Sequence, residues 1–571
     1  MNRSVPVGVV RDLGDRALLV GVRDAATGRE LARELARELV GTVGPPEASS
    51  GEGGCEIVVG HATVMVALDS PDAELDQVRQ LMHEVAGRAA AHGDHELQEV
   101  AGKLITVPSV FDGPDLNEVA AISGWTPAEI SRMMTARPLT VAVVGFSPGF
   151  AYLDGVPEPL QHVPRRARPR PAVPPGSVAL ANGQAAVYPT GSPGGWQLIG
   201  RTGVSMFSPW EPPYSRLVPG DLVQFTVATG DDSVEPPPPV APAWSAPASA
   251  RQAFEVLQPG LYTVMQDGGR RSVAASGVPA AGPADPVSFG LANRLVGNPA
   301  EAGALEITAR GPALRCLGPS HVAVVGGVPD IRLDGQVAAA GQVLPVAVGQ
   351  VLEIGALRQG IRTYAAVAGG FVGPTMFGSM SSDQLCGLGP GSVTAGQRLL
   401  AGPWTPPLGD HLGAAPAGTE AGAPIVLRVV PGPHPEWFAA DVLRELSEAL
   451  FTVEHESNRV GLRLKSEGGD LRLRSAHRDS SELDPQGMVT GAVQVPPGGD
   501  PVVLMPDHAT LGGYPVVAVV AVVDHGRLGQ CAPGDTVQFV PIDQAQALRE
   551  RLLQHRVLKN AVIGHYPFVA G

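Results

Sequence analysis

"PGDLVQF" runs from Pro219 to Phe225, and 314 residues later "PGDTVQF" runs from Pro533 to Phe539. A Pro-Gly-Asp turn followed by alternating Val, Gln and Phe reads as a tight turn feeding a β-strand. Each copy follows a Gly-Gly-aromatic element, "SPGGW" at Ser192 to Trp196 and "LGGYP" at Leu511 to Pro515, and each precedes a natural end. The repeat therefore points to two modules that close on similar strands, by duplication or by fusion of related barrels.

Composition agrees with a β-rich array. A chain of 571 residues predicts roughly three to five domains. Its 72 Gly and 56 Pro, together 128 of 571 or about 22%, demand many turns yet stop short of the low-complexity range. The formal net charge of −15 argues against nucleic acid or an anionic membrane as a general partner. Cys55, Cys316, Cys386 and Cys531 lie far apart without zinc-ligand spacing, so neither a metal site nor a disulfide framework is predicted. With no apolar leader and no run of roughly 18 apolar residues, the reading is a cytoplasmic protein.

Along the chain, residues 1–95 alternate strand and amphipathic helix, with helices at 29–40 and 73–91, as in a small α+β domain. Residues 96–227 carry a helical patch at 115–135 and then turn signals every 8 to 12 residues, as in a β-barrel. Asn182-Gly183, between apolar alternations, is a hairpin signal. A Pro/Ala-rich linker spans 228–250. A β-rich module (251–400), a flexible-looking segment (401–424) and a second barrel module (425–571) follow, with helices at 439–449 and 544–555.

The densest chemistry lies in "GFSPGFAYLDG" (Gly145 to Gly155) and the stretch from Val163 to Thr202. Phe146, Pro148, Gly149 and Phe150 place two rings beside glycine backbone, either as a wall for a flat substrate or as a stapled buried loop. Arg165, Arg166, Arg168 and Arg170 form the densest positive run, suited to carboxylate or phosphate, or simply a solvated basic loop. "GWQLIGRT" is one residue short of a P-loop, lacks its lysine, and is followed by turn formers where a P-loop opens a helix; a P-loop is rejected. What remains is a glycine-rich turn, Ser192, Gly194, Gly195 and Trp196, with Arg201 nearby for an anion. In the second half, Gln266, Asp267, Arg270, Asp285, Asn293 and Glu306 cluster around turns and one helix, where N-capping is the plain explanation of Asp285. Asn458, Arg459, Gln494, His508, Thr510, Gly512, Gly513 and Tyr514 complete the candidates.

These long motifs resemble two linked families. The run from Gly145 through "SPGGWQLIGRT" is similar to the allophanate hydrolase subunit 1 family, which includes the B-type 5-oxoprolinase subunits and the kinase inhibitor KipI. "PGLYTVMQDGGRR", "SNRVGLRL" and "TLGGYP" are similar to subunit 2 of the same system, which includes the C-type 5-oxoprolinase subunits and KipA. The same modules resemble the carboxyltransferase region of urea amidolyase. The resemblance spans nearly the whole chain and implies a mainly β fold with α+β, in which a small N-terminal α+β domain precedes cyclophilin-like β-barrel modules in both halves.

It also implies ATP-dependent hydrolysis of 5-oxo-L-proline to L-glutamate, with ATP and Mg as cofactors and a separate lactam-utilisation protein as partner. Assembly as a homo-oligomer is compatible with it. On residue type, Arg165, Arg166 and Arg201 would hold anions, Phe146, Phe150 and Trp196 would wall the ring, and Asp285 or His508 would act as base. The alternatives are biotin-dependent carboxyl transfer and a non-catalytic regulator of a histidine kinase. Lys103, Lys465 and Lys559 are the only lysines and none sits in a biotinylation motif, so no covalently bound biotin is expected. Met134, Leu139 and Ser208 depart from the usual family residues.

Overall fold

Each copy of the repeated phrase becomes the closing strand of a barrel, and its residues have equivalent partners in both. The computed structural model describes residues 5–43, 54–68, 75–91, 102–166, 168–210, 214–228, 244–404, 422–466, 471 and 483–560. Strand Leu222–Val227 lies parallel to Leu104–Ser109 and antiparallel to Leu139–Val144. Strand Thr536–Pro541 lies parallel to Ile425–Pro431 and antiparallel to Leu450–Val453.

The physical reason for the repeat is visible residue by residue. Gly220 and Gly534 take φ of 100° and 90°, which a side chain would oppose. Asp221 accepts the Val218 N–H at 3.1 Å, and Asp535 accepts the Ala532 N–H at 2.8 Å, locking the two turns alike. Gln224 donates to Thr135 O at 2.9 Å, and Gln538 donates to Ser447 O at 3.3 Å. Both carbonyls lie at the C-terminal ends of helices, Pro127–Met134 and Val442–Glu448, where the last turn leaves acceptors unpaired. Val223, Phe225, Val537 and Phe539 are fully buried in their barrels.

The first barrel has seven strands, and its ends are joined by backbone hydrogen bonds between Val110 and Arg201. Within it Ser177–Ala181 and Gln184–Val187 form the hairpin over Asn182-Gly183, both with positive φ. The helical patch before the barrel is two helices, Leu116–Ser123 and Pro127–Met134, because Gly124 ends one in a left-handed cap and Thr126 with Glu129 opens the next in a capping box. Met134 and Leu139 are core residues of this barrel. The second barrel is a closed ring of seven strands.

Between the barrels, a seven-stranded and a five-stranded sheet sandwich one apolar core containing Phe254, Leu305, Leu352 and Val367. Helix Pro286–Leu295 covers the outer face of the smaller sheet through Phe289 and Ala292. Residues 229–243 of the linker and 405–421 of the second segment lie outside the described residues.

The N-terminal sheet is four antiparallel strands, with Ala17–Gly21 and Thr63–Leu68 in its centre. Both central strands are buried throughout, because both faces are covered. Leu18, Val20, Val64 and Val66 pack under the helices Ala25–Val43 and Leu75–Ala91. Leu19, Met65 and Ala67 point the other way, as the period of two requires. They join one continuous cluster with Phe150, Tyr152 and Trp196 of the first barrel and Met488, Leu511 and Val519 of the second.

At about 1.5–3 kcal/mol for each large apolar side chain fully buried, this shared seam holds the two halves together without help from the linker. Cleaving an inserted protease site between residues 229 and 243 should therefore leave both halves co-eluting on a sizing column at micromolar concentration. Separate elution would mean that the seam is too weak to hold them.

Candidate site at the seam of the two halves

Three segments meet at this seam. The first is the turn around Phe146–Phe150, closed by Gly145 N–H to Phe150 O and Phe150 N–H to Ser147 O, both 3.0 Å, with Phe146 at φ 69°. A left-handed conformation is unusual for a bulky residue and marks a constrained turn. The second is the loop from Val273 to Ala281. Glu56 of the N-terminal sheet accepts the N–H groups of Val273 (3.0 Å) and Ala274 (2.7 Å), and Ser276 O accepts the Gly149 N–H at 3.1 Å. The third runs from Met505 to Gly513: Pro506 O accepts the Ala281 N–H, and Leu511 fills the space over Gly145, where an added Cβ would lie 2.3 Å from its side chain.

The rings of the first segment form a core. Phe150 is 1% exposed and meets Phe146, Tyr152, Tyr188 and Trp196 edge-on at 5.1 to 5.7 Å. Phe150 and Trp196 are thus a staple between domains, and only Phe146 of the expected ring wall stays partly exposed. Pro148 is buried beside them.

Arginines aimed at an external anion by residue type meet carboxylates of this chain. Arg166 and Arg170 both donate to Asp115 Oδ1 at 2.7 Å, while Asp115 Oδ2 accepts the Leu198 N–H. Arg201 pairs with Asp112 on the surface, its side chain 50% exposed. Arg165 is exposed. Arg270 is fully buried against Asp383 (3.2 Å), Ser381 O and Pro279 O.

Arg459 sits at the centre of a buried network between sandwich and second barrel. It donates to both oxygens of Asp507 (2.8 and 2.9 Å), to Glu306 (2.5 Å) and to Gly282 O (2.7 Å). Burial pushes the Glu306 carboxyl up, but the charges of Arg459 and Arg362 outweigh it and hold the group below its ordinary range. Glu306 also accepts from Tyr364 Oη (2.8 Å) and the Ala284 N–H.

Asp285 is the N-cap of helix Pro286–Leu295: Oδ1 accepts the Val287 and Ser288 N–H groups, and Oδ2 accepts from Gln530 at 2.8 Å. Both oxygens are committed, so a role as base gives way to capping. Asn293 is a buried brace, donating to Ala302 O. Asp267 accepts from Ser379, Ser381, Met380 N and Gly269 N, and Gln266 donates to Ser382 O. Asn458 shapes its own turn by accepting the Val460 N–H. Residue type pointed to chemistry at these positions; their contacts frame the fold.

The remaining candidates border the seam. Ser192 and Gly194 lie on a short strand paired with Arg170–Val173, and Gly195 O accepts the Arg166 N–H. Gly512 pairs with Gln486, Gly513 O accepts the Leu483 N–H, Gln494 packs on Gly512 and reaches Met488 Sδ, and Tyr514 is half-buried. Ser192 and Thr510, which hold the same place before their Gly-Gly pairs, both bury a hydroxyl that has no hydrogen-bond partner, as does Ser147. His508 is 9% exposed, and its Nδ1–H donates to Ala509 O at 2.8 Å, which leaves Nε2 as an acceptor. Burial pulls its pKa down to about 4, with Arg16 adding to the shift. At neutral pH it is a hydrogen-bond acceptor rather than a strong base. An open groove of about 570 Å³, lined by Asp12, Val430, Ile542 and Gln544 among others, shares no residue with this seam.

Sequence reading passed over Asp115, Asp383, Asp507 and Arg362. A signal existed for Arg362: a charge at the head of the apolar strand "RTYAAV" must be paired when buried.

Comparison with known proteins places this geometry. Residues 276–541 match the carboxyltransferase domain, subdomain A and B, and residues 9–217 match the carboxyltransferase domain, subdomain C and D. The chain is 33% identical to the C subunit of 5-oxoprolinase from Escherichia coli over 312 residues, 53% of this chain and 96% of that protein. It is 38% identical to the B subunit of 5-oxoprolinase from another Escherichia coli strain over 174 residues, 30% of this chain and 76% of that one. The crystal structure of TTHA0988 superposes with a TM-score of 0.77 at 30% identity, covering 93% of this chain and all of that one.

Glu306→Gln should lower stability by about 3–5 kcal/mol, because it strands a buried arginine charge, whereas Arg201→Ala should cost about 1 kcal/mol or less. Urea unfolding of the two variants checks the contrast, and equal losses would contradict it. Buried His434, His508 and His525, with pKa values lowered to about 3, 4 and 3, should show flat imidazole C2-proton shifts from pH 8 to pH 5. Their unfolded counterparts take up protons near 6.5, so each favours unfolding as the pH falls below that value. A titration midpoint near 6.5 in the folded protein would show that the rings are solvated.

Proposed function

The chain belongs to the carboxyltransferase-domain family, and from that premise we propose that it serves as the fused B and C component of a 5-oxoprolinase. Supporting this reading is the seam: the turn around Phe146–Phe150 of one half packs against the segment carrying His508, Thr510 and Leu511 of the other. Two halves similar to two separate subunits thus form one surface. In this reading both barrels are of the cyclophilin-like type, and the reaction is hydrolysis of 5-oxo-L-proline to L-glutamate.

A five-membered lactam resists hydrolysis because resonance protects its carbonyl, and ATP would activate that oxygen by phosphorylation. Among the described residues, the candidate anion holders do not fit a triphosphate: Arg166, Arg201, Arg270 and Arg459 are all paired internally. No step is therefore assigned to nucleotide here, and binding of ATP with Mg falls to the lactam-utilisation partner. What this chain offers is a water-poor apolar seam, Phe146 at its edge, and hydroxyl and imidazole groups free to meet a small polar ring.

Alone, the chain should be nearly inactive. Adding a lactam-utilisation protein should raise 5-oxoproline-dependent release of ADP and glutamate by at least about a hundredfold, equivalent to roughly 2.7 kcal/mol of transition-state stabilisation. Full turnover by the chain alone would refute the shared site. Consumption of carboxyl-biotin with an acceptor, and no lactam turnover by the pair, would replace this reading with carboxyl transfer.

A further inference from the structure

Glu56 belongs to the N-terminal sheet, yet its carboxylate accepts from a loop of the second half. Residues 270–281 leave and rejoin the chain at one neck. Gly269 stands against Gly282, where an added Cβ would lie 3.4 Å from Gly282 Cα, and the Arg270 N–H donates to Ala280 O at 2.7 Å. Loops whose ends meet in this way are compact units. The neck is fixed, because buried Arg270 also donates to Asp383 at 3.2 Å, to Pro279 O and to Ser381 O. Beside it Val278 is fully buried with Phe207 and Leu388, and the Ala281 N–H donates to Pro506 O at 3.2 Å.

The tip of the loop is held differently. Residues 272–277 are bracketed by left-handed backbone, with φ of 56° at Ser272 and 76° at Gly277, and between them lies one 3-10 turn, Ala274–Ser276. Such a conformation at a residue with a side chain persists only where the surroundings hold it. Of the side chains in the tip, Ala274 alone is buried; Ser272 and Ala275 are exposed, and Val273 and Ser276 are half-buried. Hydrogen bonds fasten the tip to the first half. Glu56 Oε1 accepts the N–H groups of Val273 and Ala274 at 3.0 and 2.7 Å, and Ser276 O accepts the Gly149 N–H at 3.1 Å. A segment with so few buried apolar contacts opens more readily than the core behind it.

Under the tip is the turn that carries Ser147. Gly277 lies so close to it that an added Cβ would stand 2.4 Å from Ser147 O and 3.3 Å from Gly145 Cα. Ser147 is 3% exposed, and its hydroxyl is buried without a hydrogen-bond partner among the described residues. A polar molecule would satisfy that group, and the closed tip keeps one from reaching it.

We propose that residues 272–277 are a lid over the Ser147 turn, hinged at Ser272 and Gly277 and latched by Glu56, which admits a small polar molecule to the seam when the latch lets go. The lid serves whichever small molecule enters, so it stands or falls apart from the 5-oxoprolinase reading. Labelling of Ser147→Cys by iodoacetamide in the full chain, read by peptide mass, measures its opening. Cys316 and Cys531, buried in other cores, report global unfolding in the same sample. Glu56→Ala should speed labelling at position 147 by at least about tenfold and leave Cys316 and Cys531 unchanged. Glu56→Gln keeps an oxygen able to accept both N–H groups and should stay within about threefold of the latched chain. Gly277→Ala presses a methyl group on Ser147 O without touching Glu56 and should open the lid by a second route. Hydrogen exchange of the unaltered chain should show the amides of residues 272–277 opening ahead of those in strands Ala17–Gly21 and Thr63–Leu68.

Equal labelling rates with and without Glu56→Ala would overturn the lid, as would equal acceleration at Cys316 and Cys531. So would amides of 272–277 that exchange as slowly as the two strands, or labelling at position 147 of the latched chain as fast as that of a free thiol. If the lid opens as described while the assembled pair turns over no lactam, the lid stands and the lactam reading falls.

Discussion

The N-terminal sheet has two apolar faces and only two helices, and that imbalance organises the molecule. One face, with Leu18, Val20, Val64 and Val66, is covered by the helices. The other would leave Leu19, Met65 and Ala67 in water unless something else covered it, and two barrels from opposite ends of the chain do so. The turn around Phe146–Phe150 and Leu511 meet at the seam because this face must be buried.

A second, polar constraint fixes the sandwich on the second barrel. Arg459, Glu306 and Asp507 are each almost wholly excluded from solvent. Their attraction is offset by the cost of desolvating them, so such a network contributes more to orientation than to net stability. It requires a narrow arrangement of Gly282, Tyr364 and Gln384 around it, through hydrogen bonds that a slipped interface would break. An apolar seam tolerates sliding, and a network of directional bonds does not. The two together place the loop from Val273 to Ala281 between the halves.

Against that background many charged residues among those described are explained by partners within the chain, and the informative groups are the unexplained ones. Ser147, Ser192 and Thr510 each bury a hydroxyl with no partner. Such groups are costly to keep in a folded protein unless a ligand or water meets them. Ser147 and Thr510 belong to segments that meet at the seam, between halves that resemble two separate enzyme subunits.

The sequence by itself determined what depends on neighbours along the chain. The repeated Pro-Gly-Asp phrase, the Asn182-Gly183 hairpin, the amphipathic helices and the N-terminal strand pattern were legible because turns, caps and periodicity are local properties. The glutamine of the phrase was visible, yet its bond to a helix-end carbonyl some 90 residues earlier was not. Only the tertiary structure decided the fate of the charged and aromatic candidates. Arg166 and Arg201 read as anion holders by type, and their acids, Asp115 and Asp112, stand more than fifty residues away. Phe150 and Trp196 read as a substrate wall and became a staple. Pairing and burial are decided by residues brought together across the fold, and no local pattern encodes them.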